Sequence, residues 1–311
     1  MNQWQIGAVR VTQVVELEAE PFPPGLIFPG LTPEQVGRQP WLCPHHANAA
    51  GQILMSIHAF VVESQGRRII VDTCVGNDKP RQLAAWNRLQ GPFLEDLASA
   101  GFPAETIDTV LCTHMHVDHV GWNTRWVGGR WVPTFAQARY LFARREWAHY
   151  QQESQQESQR EQQAEGRDDV IGDSVRPIVD AGLADLVEAD HRITEEVWLE
   201  PTPGHTPGHV SVHIASQGQA AVITGDLMHH PIQCSQPALH TVFDHDVAQA
   251  LRTRLDFLAR YADQPVLVLG THFAPPTAGW LVRAGATWQF SAERCAPEPS
   301  AGTTPSSVTP A

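Results

Sequence analysis

The stretch His114-Met115-His116-Val117-Asp118-His119 places four side chains able to bind a cation within six positions. It follows residues 106–113 (TIDTVLCT), an apolar, β-branched run that predicts a strand, so the cluster lies on a loop at a strand's end. Imidazole and carboxylate suit zinc and similar borderline cations. Adjacent Asp118 and His119 cannot easily share one tetrahedral site with both other histidines. A loop that divides its ligands between two neighbouring ions resolves that crowding. One loop cannot close two sites, so further ligands are expected at other strand ends. Three positions qualify: His205 in PTPGHTPGH (201–209), Asp226 in ITGD (223–226), and His272 after LGT (269–271). In each, a glycine one or two positions earlier supplies a tight turn that projects the ligand. Singly, each has an ordinary explanation: a turn histidine, a strand-end cap, a core histidine.

Around these positions the pattern is that of an α/β protein with mixed sheets. Alternating residues 5–16 predict a strand. A proline-rich arm occupies 21–50, and six prolines between Pro21 and Pro40 exclude regular helix or central strand across most of it. Such an arm shapes a pocket mouth or a subunit contact. Residues 54–63 and 67–72 predict strands joined as a hairpin at Ser64-Gln65-Gly66. A short helix is expected over 93–100, stopped by Gly101. Further strands are expected at 138–142, 196–202, 209–215, 220–225 and 265–271, and a helix at 244–262 capped by Asp244 or Asp246. Residues 144–166 contain the near-repeat QQESQQES and predict an exposed helix or partly disordered segment, within an insertion placed at 144–182. The expected organisation is a single domain over 1–290 with a disordered tail over 291–311, whose Pro, Ser, Thr, Ala and Gly cannot support a core.

Composition narrows the partners. With 42% hydrophobic residues in 311, a substantial core is available. A net charge of −13 repels polyphosphate, so nucleic acid is not expected. No stretch approaches the roughly 20 apolar residues that cross a bilayer. The N-terminus has no export-type apolar segment, and five scattered cysteines without a C-x-x-C suit reduced thiols, so a cytoplasmic protein is expected.

Taken together, the H-x-H-x-D-H run, the Gly-His-Thr-Pro-Gly-His segment and Thr-Gly-Asp, in that order, resemble the metallo-β-lactamase-fold hydrolase superfamily from about residue 54 to 275. The resemblance implies an αββα sandwich, two mixed β-sheets flanked by helices, with two divalent metal ions at one edge. It implies that His114, His116 and His205 bind the first ion, that Asp118, His119 and His272 bind the second, and that Asp226 bridges both. Asp72 matches a supporting acid that orients ligand histidines. Zinc is the expected metal, with Mn, Co or Fe open. Length, the proline-rich arm and His116 resemble the lactonase and methyl parathion hydrolase-like branch. Flavodiiron relatives carry a carboxylate where His116 stands, which disfavours redox chemistry. Acyl-homoserine-lactone lactonases carry a tyrosine three positions after the bridging aspartate, where this chain has His229, followed by His230.

The expected activity is hydrolysis of an ester or lactone of a small molecule by a metal-bridging hydroxide. Asp118 orients the nucleophile and shuttles a proton, and His229 is a candidate donor to the substrate carbonyl. Phosphotriester or β-lactam hydrolysis is the alternative chemistry, and a metal-binding sensor of the same fold is the non-enzymatic one. A homodimer is compatible with the arm. His45 and His46 read as loop residues over a third metal site, His58 as a strand residue, and His209 as a support for the ligand turn. Trp122, Trp126 and Trp131 are candidates to line an apolar substrate pocket, or else core.

Overall fold

The structure is a computed structural model that describes residues 2–160 and 168–293, the side chains of 153–160 excepted. Its strands are β1 (Gln3–Ile6), β2 (Val9–Glu18), β3 (Ser56–Ser64), β4 (Arg67–Val71), β5 (Thr109–Leu111), β6 (Thr124–Val127), β7 (Arg130–Pro133), β8 (Arg139–Ala143), β9 (Ala184–Val187), β10 (Val197–Pro201), β11 (Val210–Ser216), β12 (Gln219–Ile223), β13 (Val266–Leu269), β14 (Ala278–Ala284) and β15 (Thr287–Ser291). The helices are α1 (Pro33–Gly37), α2 (Phe93–Ser99), α3 (Arg144–Arg160), α4 (Arg176–Asp180), α5 (Ile232–Ser235) and α6 (Val247–Tyr261).

Two large sheets carry the fold. The first has the order β1-β2-β3-β4-β5-β8-β9 and the second β10-β11-β12-β13-β14-β15. Both are mixed: β4, β5, β8 and β9 pair in parallel in the first, and β12 pairs in parallel with β13 in the second. Side-chain alternation explains the layers. Phe60 and Val62 of β3, Ile69 and Val71 of β4, Leu111 of β5 and Leu141 of β8 face Leu199, Val210, Val212, Ile214, Ile223 and Leu269 of the second sheet. The intervening residues Val61, Ile70, Val110, Tyr140 and Phe142 face outward, onto Phe93 and Leu97 of α2 and Ile178 of α4. On the other side, Val222 and Val268 pack against Phe257, Leu258 and Tyr261 of α6. The result is the expected αββα sandwich, and burial on both faces explains why β4 and β5 read as unbroken apolar runs.

Several elements differ from expectation. Residues 5–16 are not one strand: the chain turns at Gly7, whose φ is 58°, so β1 and β2 form a hairpin. The run 106–113 shortens to β5, preceded by a 3-10 turn at Ala104–Thr106. The short strands β6, β7 and β9 and the hairpin β14–β15 went unpredicted; β15 runs to Ser291, one residue past the expected boundary. The expected hairpin at 64–66 is present, with Gln65 and Gly66 both at positive φ, as a two-residue turn requires. Asp246 caps α6 by accepting the Gln249 N–H at 2.9 Å. The arm contains α1, opened by a capping box between Thr32 and Gln35. Its Phe28, Leu31, Val36 and Leu42 bury with Ala47, Ile53 and Ile232, which anchors it beside α5. Residues 161–167 of the insertion and the expected tail beyond residue 293 lie outside the described residues.

Candidate metal centre

All seven expected ligands converge at one edge of the sandwich. His114, His116, Asp118 and His119 leave β5 of the first sheet; His205, Asp226 and His272 follow β10, β12 and β13 of the second. They form two groups that could each hold an ion, His114–His116–His205–Asp226 and Asp118–His119–His272, with ligand atoms in each within 4.8 Å of one another. Asp226 stands between them. Its Oδ2 lies 3.3 Å from Nε2 of both His119 and His205 and 3.6 Å from Nε2 of His114, while its Oδ1 lies 3.1 Å from Nε2 of His272. Asp118 reaches Nε2 of His119 and His272 at 3.6 Å each.

Four of the candidate-ligand histidines are held by their outer nitrogens. His119 Nδ1 donates to Asp72 Oδ2 at 2.9 Å, His205 Nδ1 to Asp244 Oδ1 at 2.9 Å, and His272 Nδ1 to the Ser56 carbonyl at 3.1 Å. Thr113 Oγ1 donates to Asp72 Oδ2 and stands 3.1 Å from His114 Nδ1, whose N–H it accepts. A donating Nδ1 leaves Nε2 as a lone pair, so four imidazole lone pairs point into one space. His205 Nε2 and His116 Nδ1 face each other at 2.9 Å, and His119 and His272 Nε2 at 3.3 Å. His114 Nε2 and Asp226 Oδ1 are buried without a hydrogen-bond partner. Facing lone pairs and orphaned buried atoms are costly unless a cation lies among them, so the donor set fits two metal ions. The electrostatics agree. Burial opposes charge on His119 and His205, yet Asp226 outweighs it, with Asp72 and Asp118 at His119 raising that imidazole well above its ordinary value, and Asp244 at His205 raising that one to about 9. Burial would raise the Asp226 carboxyl, but His119 and His272 hold it well below the ordinary range. His114 and His116, buried with less carboxylate compensation, are instead held well below the ordinary imidazole value and stay neutral donors.

The supports are built from the same chain economy. Asp72 sits in the left-handed region, with φ at 58°, at the end of β4, and its Oδ1 accepts the Thr113 N–H at 2.7 Å. Aspartate tolerates that conformation better than most residues. Next to it, Thr73 N–H donates to the His119 carbonyl at 2.8 Å and Gly121 N–H to Cys74 at 2.7 Å. Glu16 locks this segment from β2: its carboxylate accepts from Val75 and Gly76 N–H at 2.7 and 3.0 Å and from Trp122 Nε1 at 2.6 Å. His209 supports the site as expected: Nδ1 donates to Thr202 O at 3.1 Å, and Nε2 accepts the Asp226 N–H at 2.8 Å.

The structure separates the remaining candidates. His229 lies beside the ligands, 3.1 Å by Nε2 from Asp226 Oδ2 and stacked on His272 at 5.7 Å, with both ring nitrogens lacking a hydrogen-bond partner. His230 points away: Nε2 donates to the His46 carbonyl at 2.7 Å and Nδ1 accepts the Ile232 N–H, so it ties the arm to α5. His45 and His46 join no group able to hold an ion among the described residues. Trp122 is core, stacked on Phe93. Trp126 and Trp131 line a groove of about 620 Å³ with Arg130, Pro133 and Arg176, to which no metal-ligand candidate contributes, so the expectation that they line the substrate pocket is corrected. The β6–β7 turn carries them out onto α4. Sequence reasoning missed Asp244 as the partner of His205, and Glu16 and Glu146. The sequence presents Asp244 only as a helix cap; the others lie far from any motif.

A two-sheet sandwich with a paired His/Asp centre at its edge defines a class of metal-dependent proteins, and the comparisons name it. Residues 54–270 match the metallo-beta-lactamase superfamily, and the chain belongs to that family. A curated relative, an N-acyl homoserine lactonase from Bacillus sp, is 22% identical over 189 residues, 56% of this chain; the match spans 64% of that relative's length. Among solved structures, the hydrolase AbOPH of the beta lactamase superfamily superposes with a TM-score of 0.75 at 22% identity, covering 94% of this chain and 97% of that one. AidC, a dizinc quorum-quenching lactonase solved with a product, gives 0.72 at 18% identity, covering 95% and 98%.

Proposed function

We propose that this protein is a dinuclear metal-dependent hydrolase that cleaves an ester or lactone of a small molecule. The observation that carries the reading is Asp226, whose two oxygens face histidines of both ligand groups at 3.1–3.6 Å. His114, His116, His205 and Asp226 would hold one ion, and Asp118, His119, His272 and Asp226 the other. When bound, the pair supplies Lewis acidity that polarises a carbonyl oxygen and makes water acidic enough to react at neutral pH. Asp118, the most open of its group, with 13% of its side chain exposed, orients the water and accepts its proton at a carboxylate oxygen. His229 presents an imidazole N–H to the substrate carbonyl or leaving oxygen, in the place of the lactonase tyrosine. A lactonase relative at low identity supports the ester or lactone class, and the same centre suits phosphotriesters and β-lactams. Zinc is the metal we propose, on the His/Asp donor set.

The test is metal analysis with a panel of p-nitrophenyl acetate, a γ-lactone, paraoxon and nitrocefin. We expect two ions per chain, turnover of the ester or lactone, and loss of both ions and turnover in Asp226→Ala. An Asp226→Ala protein with two ions and full turnover would overturn the site. A metal-replete wild type silent on the ester and lactone substrates would overturn the activity.

A further inference from the structure

Glu146 occupies the first turn of α3, directly after β8. Because β8 pairs in parallel with β5, both strands end at the same edge, and the start of α3 lies beside the 114–119 loop. The Glu146 carboxylate is buried, with the residue 1% exposed. Its two oxygens accept from the main chains of two loops. Oε1 accepts the Met115 N–H at 3.1 Å, between ligands His114 and His116; Oε2 accepts the Gly208 N–H at 2.9 Å, three residues after His205. Burial pushes this carboxyl above its ordinary value, offset by the Thr206 hydroxyl and by those two N–H donors. The contact is close enough to dictate sequence on the far side: a Cβ on Gly208 would meet the Glu146 backbone nitrogen at 2.2 Å.

The two loops belong to different sheets. Met115 follows β5 of the first, and Gly208 lies between β10 and β11 of the second. Each loop supplies ligands of the same group, His114 and His116 from one and His205 from the other. One side chain thus ties together the two loops that bring His116 Nδ1 and His205 Nε2 to 2.9 Å. The other group draws its ligands from 118–119 and 272 and has no bond to Glu146.

We propose that Glu146 is a positioning residue that holds the two ligand loops in register, and so sets the affinity of the His114–His116–His205–Asp226 group for its ion while leaving the other ion largely unaffected. This rests on the two-ion reading above. A buried carboxylate accepting from two main-chain N–H groups is suited to the task, since the bonds are short, charge-assisted and independent of the loops' side chains.

The experiment is titration of metal-free protein with Zn²⁺ against a chromophoric chelator, for wild type, Glu146→Gln and Glu146→Ala, with near-ultraviolet circular dichroism to establish that each is folded. Loss of a partner behind a ligand shell lowers affinity by about 10–100-fold. We expect that loss for one of two ions in Glu146→Ala, a smaller loss of the same ion in Glu146→Gln, which keeps one acceptor oxygen, and less than about 3-fold change for the other. The backgrounds assign the site: Glu146→Gln should weaken the ion left in His272→Ala and leave unchanged the ion left in His205→Ala. Equal weakening of both ions, or none, in a folded variant overturns the role of Glu146. If Glu146→Ala does not fold, Glu146→Gln decides by the same split. A wild type that binds no ion removes the two-ion reading itself, an outcome distinct from any change at Glu146.

Discussion

His229 is a buried imidazole whose Nδ1 has no hydrogen-bond partner and whose Nε2 meets only the Asp226 carboxylate, 3.1 Å away and outside hydrogen-bond geometry. Its place beside Asp226 argues for a role toward substrate. His229→Phe removes the N–H and keeps a ring, so it should retain both ions and lose about 10²-fold or more in kcat; steady-state kinetics with metal analysis checks this, and unchanged kcat counts against the role. A second residue-scale prediction concerns Asp173. Arg81 binds it through two nitrogens at 2.6 and 3.1 Å, and Lys79 stands 3.5 Å away, with both basic side chains fully buried. Burial lowers the Lys79 pKa to about 8 despite that carboxylate. Asp173→Asn leaves two buried cations without their counter-charge and should cost about 3–5 kcal/mol in urea unfolding. A loss below about 1 kcal/mol would show that the cations find other partners.

At the scale of elements, the segment after β4 and the turn after the metal loop are packed backbone against backbone. A Cβ on Gly121 would meet the Val75 carbonyl oxygen at 1.9 Å, and no side-chain rotation relieves a clash between main chains. Gly121→Ala should therefore destabilise the fold by about 2–3 kcal/mol or more, and it should weaken metal binding as well, because Thr73 and His119 lie in the two displaced segments. Chemical denaturation with a parallel metal titration reads both effects; a stable variant with normal metal affinity would mean that the two segments move freely. The arm is the other instructive element. Its prolines exclude a long helix, yet it builds a small core with Ile232 and receives the His230 hydrogen bond, so it is fastened to the stretch that carries His229.

For the whole molecule, the candidate ligands come from both sheets, so ion binding joins them. Anything that binds the folded state alone stabilises it by mass action, about 4 kcal/mol at a thousand times Kd. Metal removal by chelation should lower the melting temperature by several degrees or more, reversed by adding Zn²⁺; a melting temperature indifferent to chelator would contradict a resident ion. Acid should act through other groups in the metal-free protein. Burial lowers His46 to about 3 and His230 to about 4. Their folded values lie below the unfolded one, so the unfolded chain takes up more protons as pH falls through about 6.5, and stability is lost from there down toward pH 4. Each contributes up to about 1.4 kcal/mol per pH unit. Urea unfolding of the metal-free protein at pH 7 and pH 5 should show this loss, and His230→Asn should reduce its slope.

The metal loop was legible because its signal is local: four donor side chains within six positions after a strand-like run. The single candidates His205, Asp226 and His272 stand out through their strand-end turns and their order along the chain. The alternation of β3, β4 and β12 foretold strands, and with the resemblance it foretold the sandwich. The short strands β6, β7 and β9 and the split of β1 from β2 escaped because a few residues carry too little periodicity to register. Glu16, Glu146 and Asp244 escaped for a different reason. In sequence each is one acid among 34 acidic residues, and nothing local separates a solvated carboxylate from one buried against main-chain N–H groups. The separation appears only when β2, β8 and the loop before α6 are brought to the same edge. The residue types and their local spacing set which atoms could bind metal, and only the packing of the two sheets decided which carboxylates hold them in place, because burial and long-range hydrogen bonding are properties of the assembled chain.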